Sequence, residues 1–509
     1  MSTTAQSRSG LAGAILLVLA TALPVAFLRT PPIIDVLGHI GRYELQTGLW
    51  REPWLQQFYS FRWQVLGNLG ADLLVQAVAP LLGVLGSVRL ALALVPLLAA
   101  TGIVVLSRMV HGRVTPFAVC AMALIYGLPF TWGFLNFSLS MALALLAFAL
   151  WLRLGPGWAR TILFVPVGLS LWLCHTFGWA FLGILCTAES LVRARDEGRS
   201  WLMLPLYAVR DEWPLLAPLV PMLVWRSGAD GADISGWFDL SQKAAWLIGI
   251  QRLSWEWTDK VSAGLLVAII YVGFRSPRTS ADRTLALAAA IALAAFLLLP
   301  GQIFGSVFAD MRLTPYVVML GLLALRDTGD ARSGRLLKAV ALAFLAFRLA
   351  LTGYVYAERQ AILEHQLEAL DVIPEHARVA TLVEVPCHDE WPLPWFSHIG
   401  SVALVRKHAF ANDQWANSSM NPLHVRFPAG RFAVDDRQLF FPSRCGMTPT
   451  LAQSMAELPA REFTRVWVLG VAPLDIPGRR DLQMIWRRDD AAVFRVAGPA
   501  QNNRSASAH

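Results

Sequence analysis

Between residues 11 and 355 the chain consists of apolar runs, most of them near bilayer length, broken by short loops rich in Arg and Lys. About 20 apolar residues in a helix match the thickness of a bilayer's hydrocarbon core. Lipid offers the backbone no hydrogen bonds, so such runs must be helical. This one pattern excludes an ordinary soluble globule. Charge agrees: 15% of the 509 residues are charged, against about 25% in a typical soluble domain. Residues 356–509 break the pattern and have the composition of a soluble protein. The expected fold is therefore a mostly α-helical polytopic membrane protein with about eleven transmembrane helices. Residues 1–355 form its membrane domain, and 356–509 form a C-terminal soluble α/β or α+β domain.

The net charge of +8 does not point to nucleic acid, because the surplus lies in Arg108–Arg113, Arg193–Arg199, Arg275–Arg283 and Arg326–Lys338. Such loops set topology through the positive-inside rule. They place the N-terminus, with Arg8, in the cytoplasm of a bacterial inner membrane and the soluble domain in the periplasm. Leu11–Leu28 reads as a retained first helix, since Arg29-Thr-Pro-Pro32 follows it in place of a small-residue cleavage site. Residues 29–86 then form a large first outer loop. Within it Asn68–Leu82 carries Asp72 and Gln76 and is assigned to the interface or to a re-entrant turn, where its polar groups stay hydrated. The remaining spans are expected near 87–107, 114–127, 134–153, 161–175, 176–192, 203–225, 261–274, 284–300, 312–325 and 339–355. The outer loop 226–260 holds Trp237, Trp246, Trp255 and Trp257, readable as an interfacial aromatic belt or as platforms for a sugar or lipid.

In the soluble domain, 378–385, 401–406, 464–471 and 491–496 are β-like, and Ala361–Leu370 is helical. No dinucleotide fingerprint, phosphate loop or nucleophile elbow is present. Cys387 and Cys445 are the only cysteines of that domain. In an oxidising compartment they are expected to form a disulfide, the alternative being two buried thiols. Cys120, Cys174 and Cys186 fall in spans as small apolar fillers.

Candidate chemistry starts in the first outer loop. As a helix, it places Asp35, His39, Arg42 and Gln46 within about 60° of one another, with Glu44 opposite. Ile34 and Leu45 flank that face and are expected to bury in the membrane interface. Asp35 and His39 are the candidate catalytic pair, Asp35 able to take a proton from a hydroxyl. Arg42, with Gln46, is a candidate phosphate clamp. Further polar residues sit at span ends: Asn136, His175, Asp310 and Arg312. Ionisable groups at that depth are substrate-binding candidates by default. The plainer readings are helix packing for Asn136 and His175 and a salt bridge for Asp310 and Arg312.

A long first outer loop opening on Asp35, many helices, Asp310-Met-Arg312 and an outer C-terminal domain resemble the GT-C glycosyltransferases. That resemblance implies sugar transfer from a polyprenyl-phosphate donor to a glycan, lipid or protein acceptor on the periplasmic face. It makes Asp35 the catalytic base and Arg312 the lipid-phosphate clamp. Many members carry two neighbouring acids in the loop, often on a divalent metal, whereas Val36 and Leu37 follow Asp35 here. A metal is therefore not a firm expectation, and no other cofactor is implied. Two other readings stay open: a transporter or flippase for a lipid-linked or anionic substrate, and a non-catalytic assembly protein that keeps the architecture.

Overall fold

The computed structural model describes residues 2–226, 234–303, 306–416, 421–435 and 438–497. The side chains of residues 2–9 (Arg8 included), 201 and 224–226 lie outside the described set, as do residues 227–233 of the Trp-rich loop. The chain divides into two compact units. One comprises Met1–Pro31, Trp63–Ala357 and Asn417–Asn421, and the other Pro32–Arg62, Glu358–Ala416 and Pro422–His509.

The first unit is helical. Among its described residues, Gly70–His111, Leu135–Leu154, Thr176–Asp196, Glu256–Arg275 and the helix beginning at Ala331 are long and apolar enough to cross a bilayer. Gly10–Ala20, Pro116–Trp132, Trp158–Cys174, Arg283–Leu298 and Met311–Ala324 are shorter apolar helices. Their ends follow from local chemistry. Asp282 accepts the Leu285 amide at one N-terminus, and Thr115 accepts that of Ala118 just before Pro116. Gly112 (φ +73°) closes the C-terminus after His111. The expected span 203–225 is not one helix: Pro205, Pro214, Pro218 and Pro221 break it into Leu204–Glu212, Trp213–Leu216 and Leu219–Arg226.

The expected interfacial segment also differs. Gly70–His111 bends at Gly83, whose φ of +68° and ψ of 171° are not helical, so 70–82 is set off from the following span. Gln76 is exposed, but Asp72 is fully buried rather than hydrated, because Asn136 donates to it.

The basic loops gather at one end of this unit. Thr279–Ala281 pairs antiparallel with Leu325–Asp327, Arg113 bonds Asp327 at 2.9 Å, and Arg283 meets Asp196 at 2.5 Å. Antiparallel helices therefore carry Asn136, His175, Asp310 and Arg312 to the opposite end.

The second unit is built on a six-stranded sheet in the order 482–488, 491–496, 465–469, 378–384, 410–411, with 439–440 also pairing 378–384. Arg378–Glu384 runs parallel to its neighbours on both sides, and Ala491–Val496 lies antiparallel to Arg465–Leu469. The β-like run 401–406 is instead part of the helix Gly400–Lys407. Its β-branched residues are overruled by packing: Val402 and Leu404 are buried beside the sheet.

The segment expected at the membrane surface, 32–62, folds into this second unit. Ile34 and Leu45 are each 1% exposed, and Leu45, Leu55 and Tyr59 join Leu382, Leu404, Phe410 and Val466 in one core cluster. Strand Tyr59–Phe61 pairs antiparallel with Leu423–Val425, and the Tyr59 hydroxyl donates to the Ala411 carbonyl at 2.8 Å. The flank read as an interfacial face is thus core. Leaving water gains such a side chain about 1.5–3 kcal/mol whether it enters a protein core or the apolar part of a membrane, so composition does not separate the two fates.

Cys387 and Cys445 are joined by a disulfide across a sequence separation of 58, with Cα atoms 5.5 Å apart. Loop closure of that length contributes about 2–4 kcal/mol. A Cys387→Ser/Cys445→Ser variant should unfold at lower temperature, and reductant should lower the parent's transition but not the variant's. A parent insensitive to reductant would contradict this.

Candidate functional site

Two constellations carry chemistry, one in each unit. In the second unit, the helix Ile34–Gly48 brings Asp35, His39, Arg42 and Gln46 onto one face. Gly38 and Gly41 let it approach its neighbours closely. A Cβ on Gly38 would lie 2.7 Å from Trp415 and 2.9 Å from His398, and one on Gly41 would lie 2.8 Å from Gln414 and Ser401. Gly38→Ala should therefore displace His398 and cost about 1–3 kcal/mol. A thermal-unfolding curve identical to the parent's would refute the close packing.

His398 is the residue that sequence reasoning missed. Its Nδ1 lies 2.8 Å from the Asp413 carbonyl, which can only accept, so Nδ1 carries the proton. Nε2 is then an acceptor and faces Asp35 Oδ1 at 3.8 Å. Burial pushes this imidazole down to about 4, against the pull of the Asp413 hydrogen bond, so it is neutral at pH 7. A neutral acceptor nitrogen and a carboxylate at that spacing suit a proton donor entering between them, such as a hydroxyl. Trp415 walls the place, with its ring 4.5 Å from that of His398 and 5.0 Å from that of His39. His39 therefore lies against the same Trp415 ring, and His398 joins Asp35 and His39 at this place. Arg42 is 2% exposed and lies against Tyr43, donating to its hydroxyl at 3.4 Å; Gln46 is buried one turn further on.

Asp413 and Gln414 brace this arrangement. Asp413 accepts the Ser401 amide at 2.5 Å, and Gln414 donates to the Gly38 carbonyl and to Ser401 Oγ. Burial drives the Asp413 carboxyl up to about 7. Between pH 3.8 and 7 the folded state thus holds a proton that the unfolded chain releases, and stability falls as pH rises through that window. His398 acts oppositely: between pH 4 and 6.5 the unfolded chain takes a proton that the folded state refuses, so stability rises with pH. The two effects oppose each other in the parent. Asp413→Asn removes only the first, so the variant's unfolding temperature should climb more steeply from pH 4 to 6.5. Parallel curves for parent and variant would contradict this.

In the first unit, Arg312 is buried and donates to Ser306 Oγ at 2.9 Å and to the Val307 carbonyl at 3.3 Å. The Phe134 ring lies 4.1 Å beneath its guanidinium. His175 caps the helix Thr176–Asp196, with Nδ1 accepting the Phe177 amide at 3.1 Å. That fixes the tautomer: a neutral His175 carries its proton on Nε2. Nε2 and Arg312 Nη1 then meet at 3.4 Å as two donors. Two donors do not bond each other, but together they grip an acceptor that bridges them. The positive end of the Thr176–Asp196 helix dipole adds to the attraction for an anion.

For Asp310 the plainer reading, a salt bridge, is met in its interhelical form. Lys243, 2% exposed, bonds Asp310 Oδ2 at 3.0 Å and the carbonyls of Phe296 and Leu299, while Asp310 Oδ1 accepts the Met311 amide. The salt bridge is therefore Asp310–Lys243 and not a mutual Asp310–Arg312 pair, and the Arg312 guanidinium is turned to His175 and Ser306. Asn136 accepts the Ala71 amide at 2.5 Å and donates to Asn68 and Asp72, fastening two helix N-termini. Of the Trp-rich loop, Trp246 is buried against Phe308, while Trp237, Trp255 and Trp257 are exposed. Phe308 itself holds φ +58°, a strained conformation for an aromatic residue, on the loop that supplies Ser306 and Val307.

A 250 Å³ cleft of the second unit opens at the carboxyl ends of strands 378–384 and 465–469, lined by Glu384, Glu390, Trp395 and Arg444 among others. The chain leaves Arg378–Glu384 toward neighbours on both sides, the topology at which open sheets bind ligands.

Described residues hold no group of three or more metal-ligating side chains. Near Asp35 lie the imidazoles of His398 and His39, and Val36 and Leu37 stand where the two-acid pattern has its second acid.

No family model and no curated protein matches the chain. Among solved structures it is similar to ArnT from Cupriavidus metallidurans bound to undecaprenyl phosphate, with a TM-score of 0.49 and 13% identity over 97% of this chain and 99% of that one. The same protein in the apo state gives a TM-score of 0.47 and 12% identity over 98% and 100%. Neither likeness assigns a function, which rests on the residues themselves.

Proposed function

We propose that the chain is a membrane glycosyltransferase that moves a sugar from a polyprenyl-phosphate-linked donor to an acceptor hydroxyl by inverting displacement. The observation that carries this reading is the convergence of Arg312 Nη1 and His175 Nε2–H at a helix N-terminus within an apolar helical unit. A phosphate on a hydrocarbon carrier has the matching chemistry: acceptor oxygens for the donors and an apolar tail for the surroundings.

In the step, the acceptor oxygen forms a bond to the anomeric carbon as the bond from that carbon to the phosphate oxygen breaks. A base takes the acceptor proton, and in the second unit the Asp35 carboxylate, with His398 Nε2 beside it, is suited to that role. The electron pair leaves with the phosphate, and in the first unit the Arg312 and His175 donors are suited to its growing charge. With the basic end of the first unit in the cytoplasm, this chemistry belongs to the periplasmic face of a bacterial inner membrane.

The test is turnover. Purified protein given a polyprenyl-phosphate sugar and candidate acceptors should release polyprenyl phosphate and form a glycoside of inverted configuration, and Arg312→Ala should do so roughly 10²–10³-fold more slowly. Movement of the intact lipid across proteoliposomes without turnover would replace this reading with the transporter.

A further inference from the structure

At the basic end of the first unit, two cavities share one residue. The first is an apolar groove of about 490 Å³ between the stretch Leu11–Leu19 of the first helix and Thr101–Met109. Of its lining side chains only Thr101 and Arg108 are polar, and the Thr101 hydroxyl is spent on the Leu97 carbonyl. The second is a cleft of about 550 Å³ that shares Arg108 with that groove and adds Gly10, Arg113, Arg335, Lys338, Asp327 and Asp330. Asp327 is engaged with Arg113, and Asp330 caps the Ser333 amide. The cleft therefore keeps a positive excess, four basic side chains against two acidic ones, with Arg108, Arg335 and Lys338 all exposed. Arg108 stands where the two cavities join.

We infer that this end of the unit is a binding site for an anionic glycerophospholipid, one acyl chain lying in the groove and the headgroup phosphate in the cleft. Each wall of the groove spans eight residue steps, about 12 Å of helix, which suits an extended alkyl chain running parallel to the helices. A zwitterionic lipid would bring its own cation into a cleft already in positive excess, so charge complementarity selects an anionic headgroup. The site lies at the opposite end of the unit from Arg312 and His175 and takes no part in the reaction proposed there. Its role is to anchor the first helix to Thr101–Met109 through lipid where protein atoms leave a gap.

The test uses the full-length protein in neutral detergent, titrated with phosphatidylglycerol, phosphatidylcholine or soluble glycerol phosphate and followed by native mass spectrometry. Phosphatidylglycerol should bind at least tenfold tighter than phosphatidylcholine, and glycerol phosphate should not compete. Arg108→Ala/Arg335→Ala/Lys338→Ala should lose at least tenfold, and so should Val105→Trp, which fills the groove. The exposed single change Arg335→Ala, which carries little risk to folding, should lose a smaller but measurable part. Equal binding of the two lipids, effective competition by glycerol phosphate, or indifference to both Val105→Trp and Arg335→Ala would overturn the proposal. So would a second copy of the chain occupying the groove, seen as a lipid-independent dimer that Val105→Trp dissociates.

Discussion

Replacing Asp35 by asparagine is expected to lower sugar transfer by roughly 10³–10⁴-fold, the upper part of the range for loss of a general base. Asparagine keeps the size and one acceptor oxygen, so the helix Ile34–Gly48 and its packing should survive. What it cannot do is take the proton of the attacking hydroxyl. The 3.8 Å between Asp35 Oδ1 and His398 Nε2 gives a second handle on the same step. His398→Ala should reduce turnover less than Asp35→Asn, because it removes the second acceptor and leaves the carboxylate. The double variant should be hardly worse than Asp35→Asn alone, since residues that serve one proton do not add. Additive losses would separate the two residues and undo the pairing. Single-turnover rates with a saturating donor provide the measurement.

The second large effect is expected at Arg312. Its guanidinium is buried on Phe134 and meets the His175 Nε2 donor, so Arg312→Ala removes a desolvated charge from the developing phosphate. A loss of roughly 10²–10³-fold in kcat is expected from one such donor. Arg312→Lys keeps the charge but not the planar fork, so it should recover only part of the activity. His175→Gln can present a donor near the position of Nε2 and should retain more activity than His175→Ala. If both His175 variants behave alike, the imidazole serves only as a helix cap. Asp310→Asn, by contrast, should impair the folded state first, because Lys243 would be left buried against carbonyls without its counter-charge.

The apolar helices were legible because bilayer thickness imposes a length and a composition on a span. The basic loops meet in the folded unit through Arg113–Asp327 and Arg283–Asp196, contacts that hydropathy alone does not dictate. What failed to show was discontinuous pairing. Asp35 and His398 are 363 positions apart, and His398 lies in Trp395-Phe-Ser-His398, which has no periodicity to mark it. Lys243 lies in the Trp-rich stretch 226–260 with no motif to mark it, yet from the helix Leu240–Ile248 it neutralises Asp310. The helix carrying Asp35, His39, Arg42 and Gln46 was readable from its 3.6-residue period. Its surroundings were not, because an apolar flank such as Ile34 and Leu45 is satisfied equally by lipid and by a protein core. The 401–406 run misled for a related reason: β-branched residues fit a buried helix as well as a strand once tertiary packing decides.

The most direct test of the central claim, a lipid phosphate gripped by Arg312 and His175, is binding of a polyprenyl phosphate to the purified protein. Parent, Arg312→Ala and Asp35→Asn are compared by native mass spectrometry with a dephosphorylated polyprenol as the control. The account predicts that the parent and Asp35→Asn bind the phosphate and not the polyprenol, and that Arg312→Ala loses at least tenfold in affinity. Equal binding of polyprenol and polyprenyl phosphate by the parent, or unchanged affinity in Arg312→Ala, would contradict it.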